Sequence, residues 1–227
     1  MKKILLVLTN TTRYGDTDDA TGLWLSEATE FAVIMQNAGY QLDYVSPKGG
    51  FVPLDPRSML KYTDAESLAF YETADFQDRA LTHSLAPADI NPADYAAIYY
   101  TGGHGVMWDF PDNSELQKIS LAILQQGGYV TSVCHGIAGL LNLKDAAGNY
   151  VIANRKITGF TTAEEVLAGK KKVVPFLNQK VASQHGAHFT HKRAYREFAI
   201  QDGQLITGQN PFSARAVARL LLQNLTK

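Results

Sequence analysis

The run Tyr129-Val130-Thr131-Ser132-Val133-Cys134-His135-Gly136-Ile137-Ala138-Gly139-Leu140-Leu141 leaves a folded chain few choices. Its β-branched and aromatic start reads as a buried strand, and its small-residue, Leu-rich end reads as a helix, with Cys134 at the joint. Gly136 suits a sharp strand-to-helix turn, because a backbone crossing at that angle leaves no room for a Cβ. This pattern is a nucleophile elbow in the form Ser-Val-Cys-His-Gly. Such a turn lifts the sulfur clear of the sheet and sets it at the positive end of the following helix. A thiol that titrates near roughly 8.5 in solution is expected to shift below neutral there. The plainer alternative is a buried, inert cysteine, since free Cys is among the most buried residue types.

The rest of the chain supplies a sheet for that strand. Lys3–Leu8 is a continuous apolar run of the buried parallel type. Residues 22–39 carry apolar side chains at helical spacing and stop at Gly39, and Gln41–Val45 reads as a second strand. Strand, helix, strand at this spacing is a βαβ unit. From Arg57 to about Asn91 the chain is polar, helical in composition and dotted with Tyr62, Phe70, Tyr71 and Phe76, without a strand-like run. It reads as helices inserted over one end of the sheet, a cap spanning 57–92 within a single domain of residues 1–227. Ala96–Tyr100 returns to strand and runs into Thr101-Gly102-Gly103-His104-Gly105. Ser114 is expected to cap a helix to Gln126. Val151–Ala153 and Lys156–Phe160 read as short strands, and residues 161–165 as a helix start. Residues 196–208 form a hairpin turning at Asp202-Gly203, and a final helix runs from about Pro211 to Leu225. The fold class is therefore α/β, an open, mostly parallel sheet with helices on both faces. In such sheets ligands bind beyond the carboxyl ends of the strands.

Bulk properties exclude several partners. The formal net charge is −1, 19% of residues are charged and no basic block occurs, so neither nucleic acid nor an acidic membrane surface is implied. Met1-Lys2-Lys3 followed by an apolar run resembles the start of a signal peptide. The run is too short for an h-region or a membrane span, and it reads better as an inner strand. One cysteine among 227 residues permits no intrachain disulfide and suits a reducing cytoplasm. No Walker or dinucleotide glycine pattern is present, so no nucleotide cofactor is expected.

The rule for open sheets gathers the candidate chemistry. Cys134 ends one strand, and Gly102-Gly103-His104-Gly105 ends another. Glu27 follows the loop after the first strand, in the apolar setting Trp24-Leu25-Ser26-Glu27-Ala28, where burial would raise its pKa. The N–H groups of Gly103 and His135 are placed to hold an oxyanion. Gly102, His104 and Trp108 are candidates for substrate contact.

Taken together, Gly102-Gly103-His104-Gly105, Trp108-Asp109-Phe110-Pro111, Ser132-Val133-Cys134-His135-Gly136, Thr158-Gly159-Phe160-Thr161-Thr162-Ala163-Glu164-Glu165 and Ile206-Thr207-Gly208-Gln209-Asn210-Pro211 resemble the DJ-1/PfpI superfamily. This superfamily is class I glutamine amidotransferase-like. Within it the chain is most similar to the heat-shock-protein-thirty-one-like, or glyoxalase III, branch. Ser46-Pro47-Lys48-Gly49-Gly50 and Pro53-Leu54-Asp55-Pro56 match that branch too, so the resemblance runs from the first strand to the last helix. It implies a flavodoxin-like sheet, a cofactor-independent glyoxalase that converts methylglyoxal to lactate, no metal, and a homodimer. It also implies Cys134 as nucleophile, His135 as its histidine and Glu27 as the carboxyl on the sulfur. An acid from the pair Glu164 and Glu165 completes the triad, with Glu165 preferred, and Gly103 and His135 supply the oxyanion hole. Either His135 or Glu27 could move the proton between the substrate carbons.

Other classes fit parts of the pattern. Members of the branch are also described as stress chaperones, and protein deglycation is a related activity. A glutaminase needs a downstream His-x-Glu, which His185, His188 and His191 do not provide. A cysteine variant of the α/β-hydrolases fits the order of nucleophile and acid but needs strand-helix pairs that are missing before the elbow. The spacing of His185, His188 and His191 invites a metal site, but Gly186 breaks any helix there and a strand would send His188 and His191 to opposite faces. Lys170-Lys171-Lys172 reads as a solvated helix end.

Overall fold

The computed structural model describes residues 3–59 and 62–226. In chain order its elements are β1 (Lys3–Val7), α1 (Leu25–Asn37), β2 (Leu42–Val45), α2 (Ala65–Tyr71), β3 (Tyr95–Tyr100), α3 (Val106–Asp109), α4 (Ser114–Gln125), β4 (Tyr129–Val133) and α5 (Ala138–Leu141). There follow β5 (Lys156–Ile157), α6 (Thr162–Leu167), α7 (Asn178–Gln184), β6 (His188–Phe189), β7 (Ala199–Asp202), β8 (Leu205–Gly208) and α8 (Ala214–Leu225). Six strands form one sheet in the order β2-β1-β3-β4-β8-β7, parallel except for the antiparallel edge pair β7 and β8. β5 and β6 make a separate two-stranded ribbon.

The parallel strands are apolar on both faces because both faces are covered. One layer packs Ile4, Leu6 and Tyr99 against Phe31 of α1 and against Val217 and Leu221 of α8. The other packs Leu5, Val7, Ile98 and Val130 against Ile119 and Ile123 of α4 and Leu140 of α5. Phe31 and Tyr99 stack with centroids 3.7 Å apart, and the Tyr99 hydroxyl donates to the Glu27 carbonyl oxygen. The start of α1 is thereby fixed against the sheet at the level of the strand ends.

Several local expectations change. α1 begins at Leu25, not Gly22, because Gly22 packs its backbone against Pro53, where a Cβ would lie 2.3 Å from the carbonyl oxygen. Asn113, not Ser114, caps α4, accepting from the Leu116 N–H. Residues 151–153 form a turn. The segment after Pro56 contains a 3₁₀ turn (Pro56–Met59), α2 and a π-helical stretch (Phe76–Thr82). Phe76, Ala80 and Leu81 enter the core, with the Phe76 ring edge-on to Tyr44 of β2. This segment packs along α1 and the β2 edge, and Arg57 and Tyr62 near its start reach the strand ends. Lys170 is not a solvated helix end. Its ammonium pairs with Asp19 at 2.8 Å and sits 4.2 Å from the Tyr14 ring centroid. No helix among the described residues is long and apolar enough to cross a membrane.

Candidate active site

β4 delivers Cys134 at its carboxyl end with φ +56°, the left-handed conformation in which an elbow holds its apex residue. The chain continues as a 3₁₀ turn, Cys134–Ile137, and then α5. A Cβ on Gly136 would stand 2.2 Å from the Tyr100 carbonyl oxygen, so the crossing requires glycine. The glycine pair after β3 is equally confined. Gly103 has φ +100° and its Cβ would meet the Gly22 carbonyl oxygen at 2.2 Å. A Cβ on Gly102 would lie 2.2 Å from Glu27 Oε2, 3.0 Å from Cys134 Cβ and 3.1 Å from the His135 nitrogen. Glycine here lets the Glu27 carboxyl, the sulfur-bearing carbon and the His135 backbone nitrogen crowd together.

Cys134 Sγ lies 3.3 Å from His135 Nδ1, and His135 Nε2 lies 2.9 Å from Glu165 Oε2. The other Glu165 oxygen, Oε1, is 2.8 Å from His104 Nε2, and His104 Nδ1 is 3.0 Å from Arg57 Nη2. Arginine can only donate, so His104 Nδ1 accepts and its proton sits on Nε2, donated to Glu165. Glu165 therefore receives an N–H from each of two histidines. His135 then presents the lone pair of Nδ1 to the sulfur. The His135 ring packs against two others, with centroids 4.0 Å from His104 and 4.2 Å from Phe160.

The charges follow from this packing. Burial opposes ionisation of Glu165, yet His135 and His104 together hold its carboxyl well below the usual range. Burial, reinforced by the positive charge that His135 can carry, pushes His104 down to about 4. Unfolded histidine titrates near ~6.5, so the unfolded chain binds more protons than the folded one between these values. Stability therefore falls as pH drops from about 6.5 toward 4, by up to ~1.4 kcal/mol per pH unit. In His104→Gln the difference in urea midpoint between pH 7 and pH 5 shrinks. An undiminished difference would assign that acid sensitivity elsewhere.

Glu27 and Cys134 behave as a pair. Burial pushes the Glu27 carboxyl well above its ordinary range, although the Cys134 thiol and the Gly102 N–H act on it as partners. Neither Glu27 oxygen completes a hydrogen bond of standard geometry, and both are fully buried. Burial and the Glu27 charge push the Cys134 thiol up as well. The expectation of a thiol lowered by a helix terminus is thus corrected. The following helix is only a few residues long, its dipole is weak, and Cys134 is 3% exposed. Burial opposes ionisation of each, and the charge of one opposes that of the other, so the two groups do not both carry negative charge.

The neighbouring acid, Glu164, does different work. It is fully buried and accepts from the Thr161 N–H and hydroxyl, the Tyr195 N–H, Gln209 Nε2 and Asn210 Nδ2. With the Thr161 hydroxyl capping the Glu164 N–H, it closes a capping box at the start of α6. The box turns Glu165, one residue on, toward the histidines.

The site opens into a cavity of about 230 Å³ lined by Trp24, Arg57, Tyr62, His104, Cys134, His135, Phe160, Leu167, Ala168, Tyr195 and Pro211. Trp108 is not among them. Its ring stands edge-on to Tyr14, 5.9 Å between centroids, beside the loop that follows β1. Gly102 lies beneath the sulfur, not on the cavity wall. Among the described residues, His104, His135 and Glu165 are the group whose ligand atoms lie close enough, within 4.8 Å, to hold a metal ion. His104 and His135 each turn Nε2 toward Glu165, and their N–H protons would have to leave before a metal could take those nitrogens. His185, His188 and His191 go separate ways. His185 stacks on Tyr150 and bonds the Leu141 carbonyl oxygen, while His188 and His191 are exposed. Sequence reading did not select Arg57, Tyr14, Phe160 or Tyr195. Two left a trace: Arg57 follows the Pro-Leu-Asp-Pro turn that fixes Asp55, and Phe160 lies within the Thr-Gly-Phe-Thr motif.

A mostly parallel sheet with helices on both faces, and a cysteine at an elbow that ends a central strand with a histidine next to it and an acid behind, defines an α/β protein of the flavodoxin-like class. The DJ-1/PfpI family pattern matches residues 20–224, and the chain belongs to that family. It is 32% identical to Glyoxalase 3 of Candida albicans over 94% of each chain. It is 31% identical to glutathione-independent glyoxalase HSP31 of Saccharomyces cerevisiae, over 96% of this chain and 95% of that one. Among solved structures it superposes on the Rapid Encystment Protein 24 KDa of Francisella tularensis with TM-score 0.95 and 34% identity, over 99% of both chains. It also superposes on glyoxalase III of Candida albicans with TM-score 0.87 and 30% identity, over 98% of this chain and 96% of that one.

Proposed function

We propose that this chain is a glutathione-independent glyoxalase that converts methylglyoxal to lactate through a covalent adduct on Cys134. The observation that carries the reading is the line Cys134–His135–Glu165 at the floor of a cavity sized for a small molecule, in a chain similar over nearly its whole length to proteins named glyoxalases. Sulfur adds to the aldehyde carbon, C1, and the N–H groups of Gly103 and His135 receive the developing oxyanion. The proton shared by Cys134 and Glu27 ends on the adduct oxygen, leaving Glu27 as a carboxylate in a dry site and hence a stronger base than an exposed one. Glu27 takes the hydrogen from C1 as a proton, leaving an enediolate with its charge on the C2 oxygen; the proton returns to C2, and the C1 hydroxyl proton passes to the C2 oxygen as C1 becomes a carbonyl. C1 is thereby oxidised to a thioester and C2 reduced to a carbinol within one molecule. His135 Nδ1 then activates water against the thioester, and Glu165 stabilises the imidazolium that forms. Lactate leaves and the sulfur regains the shared proton.

The test is an enzymatic lactate assay on chelator-treated protein supplied with methylglyoxal and no thiol. Lactate is expected, with solvent-derived hydrogen on C2 wherever the enediol proton exchanges before it returns. No lactate above a protein-free control would sink the proposal.

A further inference from the structure

Arg57 has one end of its guanidinium committed and the other uncommitted. Nε and Nη2 bind Asp55 at 3.0 and 2.8 Å, and Nη2 also bonds His104 Nδ1 and the Tyr14 hydroxyl. Asp55 is fully buried and is itself held by Thr21 and by the Arg57 N–H. The guanidinium carbon lies 5.3 Å from the Tyr14 ring centroid and 6.0 Å from that of Trp24, so two aromatic rings flank the group. Nη1 has no acceptor among the described residues. The side chain is 37% exposed and lines the same small cavity as Cys134. A rigid cation with free donors on the wall of a nucleophile's cavity is suited to an anionic oxygen.

We propose that Arg57 Nη1 forms a cationic subsite for an anionic oxygen on the carbon next to the one bonded to Cys134. Resting on the glyoxalase reading, this oxygen is the one on C2 of a 2-oxoaldehyde. When the C1 hydrogen leaves as a proton, its bonding pair becomes the C1=C2 double bond and the C2 carbonyl π pair moves onto that oxygen. The Gly103 and His135 N–H groups are occupied by the oxygen on C1, so a second donor is required where this charge develops. Protonation at C2 turns the C1=C2 pair into a C2–H bond, the C1 hydroxyl becomes the thioester carbonyl, and its proton passes to the oxygen on C2. Arg57 thereby selects aldehydes that carry an adjacent oxo group over simple aldehydes.

The subsite can be read without turnover. Cys134 is alkylated with iodoacetate and, separately, with iodoacetamide, and the rate ratio is compared with that of a free thiol at the same pH. Both reagents meet the same thiolate, so the ratio cancels any change in thiol ionisation caused by disturbing His104. Wild-type protein should favour iodoacetate over the free-thiol ratio by ~10-fold or more, the scale on which a local cation concentrates an anion. Arg57→Gln should return the ratio to that of the free thiol, and Arg57→Lys should keep part of the preference. In the lactate assay Arg57→Gln should lower kcat by at least ~10-fold, as expected for a donor used in the transition state. Equal ratios in wild type and Arg57→Gln, or in wild type and Arg57→Lys without any preference for iodoacetate, would overturn the subsite even if lactate forms. A ratio that falls as expected in a protein that makes no lactate would keep the subsite and remove the glyoxalase reading.

Discussion

Replacing Cys134 by serine is expected to bring lactate formation down to the level of the uncatalysed reaction, a loss of at least ~10⁴-fold, as when a covalent nucleophile is removed elsewhere. The substitution is conservative for the fold. Serine fills nearly the same volume in a site where Cys134 is 3% exposed, and it is as suited as cysteine to the φ of +56° at the elbow. The thermal midpoint should stay close to that of the wild type, so lost activity is not lost structure. A hydroxyl cannot share a proton with Glu27 as a thiol does, because an alkoxide is far more costly to form in a buried site. Lactate at near wild-type rates from Cys134→Ser would mean that the sulfur is not the nucleophile and that the adduct proposed here does not form.

The second large effect separates the two halves of the reaction. Glu27→Gln keeps shape and a neutral donor beside the sulfur but removes the acceptor that moves the proton from C1 to C2. Turnover should fall by ~100-fold or more, the scale for losing a general base, with no acyl adduct accumulating. Glu165→Gln keeps a side chain of the same size against His104 and His135 but removes the charge that supports the His135 imidazolium. It should also cost ~100-fold or more, with the lactoyl thioester now building up on Cys134, visible by intact-protein mass spectrometry after a rapid quench. If both variants accumulate the thioester, Glu27 is not the isomerisation base. If neither does, His135 and Glu165 act before the thioester forms. Glu164→Gln is a useful contrast, because Glu164 touches neither histidine and anchors the Tyr195 N–H, Gln209 and Asn210 instead.

Most of the architecture could be read from hydrophobic periodicity and turn chemistry, because parallel strands buried on both faces and amphipathic helices leave strong local signals. The elbow was legible for the same reason: a strand, a nucleophile, a glycine and a helix are contiguous. The hairpin β7 and β8 turns just past Asp202, with Gly203 at φ +59°, as its Asp-Gly pair implied. Trp108 was misplaced because nearness in sequence to the glycine pair says nothing about which way α3 turns its ring. The thiol environment was misjudged because it depends on burial and on Glu27, a partner more than a hundred positions away. Arg57 was missed because an arginine in a polar stretch is ordinary. Its significance comes from Asp55, His104 and two aromatic rings that only the tertiary fold collects.

The chain of contacts from Cys134 through His135, Glu165 and His104 to Arg57 also bears on how the protein acquires activity. Its links join residues separated by 30, 61 and 47 positions, whereas the helices of both layers form from neighbours a turn apart. Each distant link costs loop-closure entropy that is repaid only when the strands that carry its ends have paired. This line of contacts is therefore among the last features to assemble and among the first to open. During refolding, helical signal and partial collapse precede the return of lactate production. A mild destabilisation anywhere along β1, β3 or β4 is felt as lost turnover before it is seen as lost secondary structure.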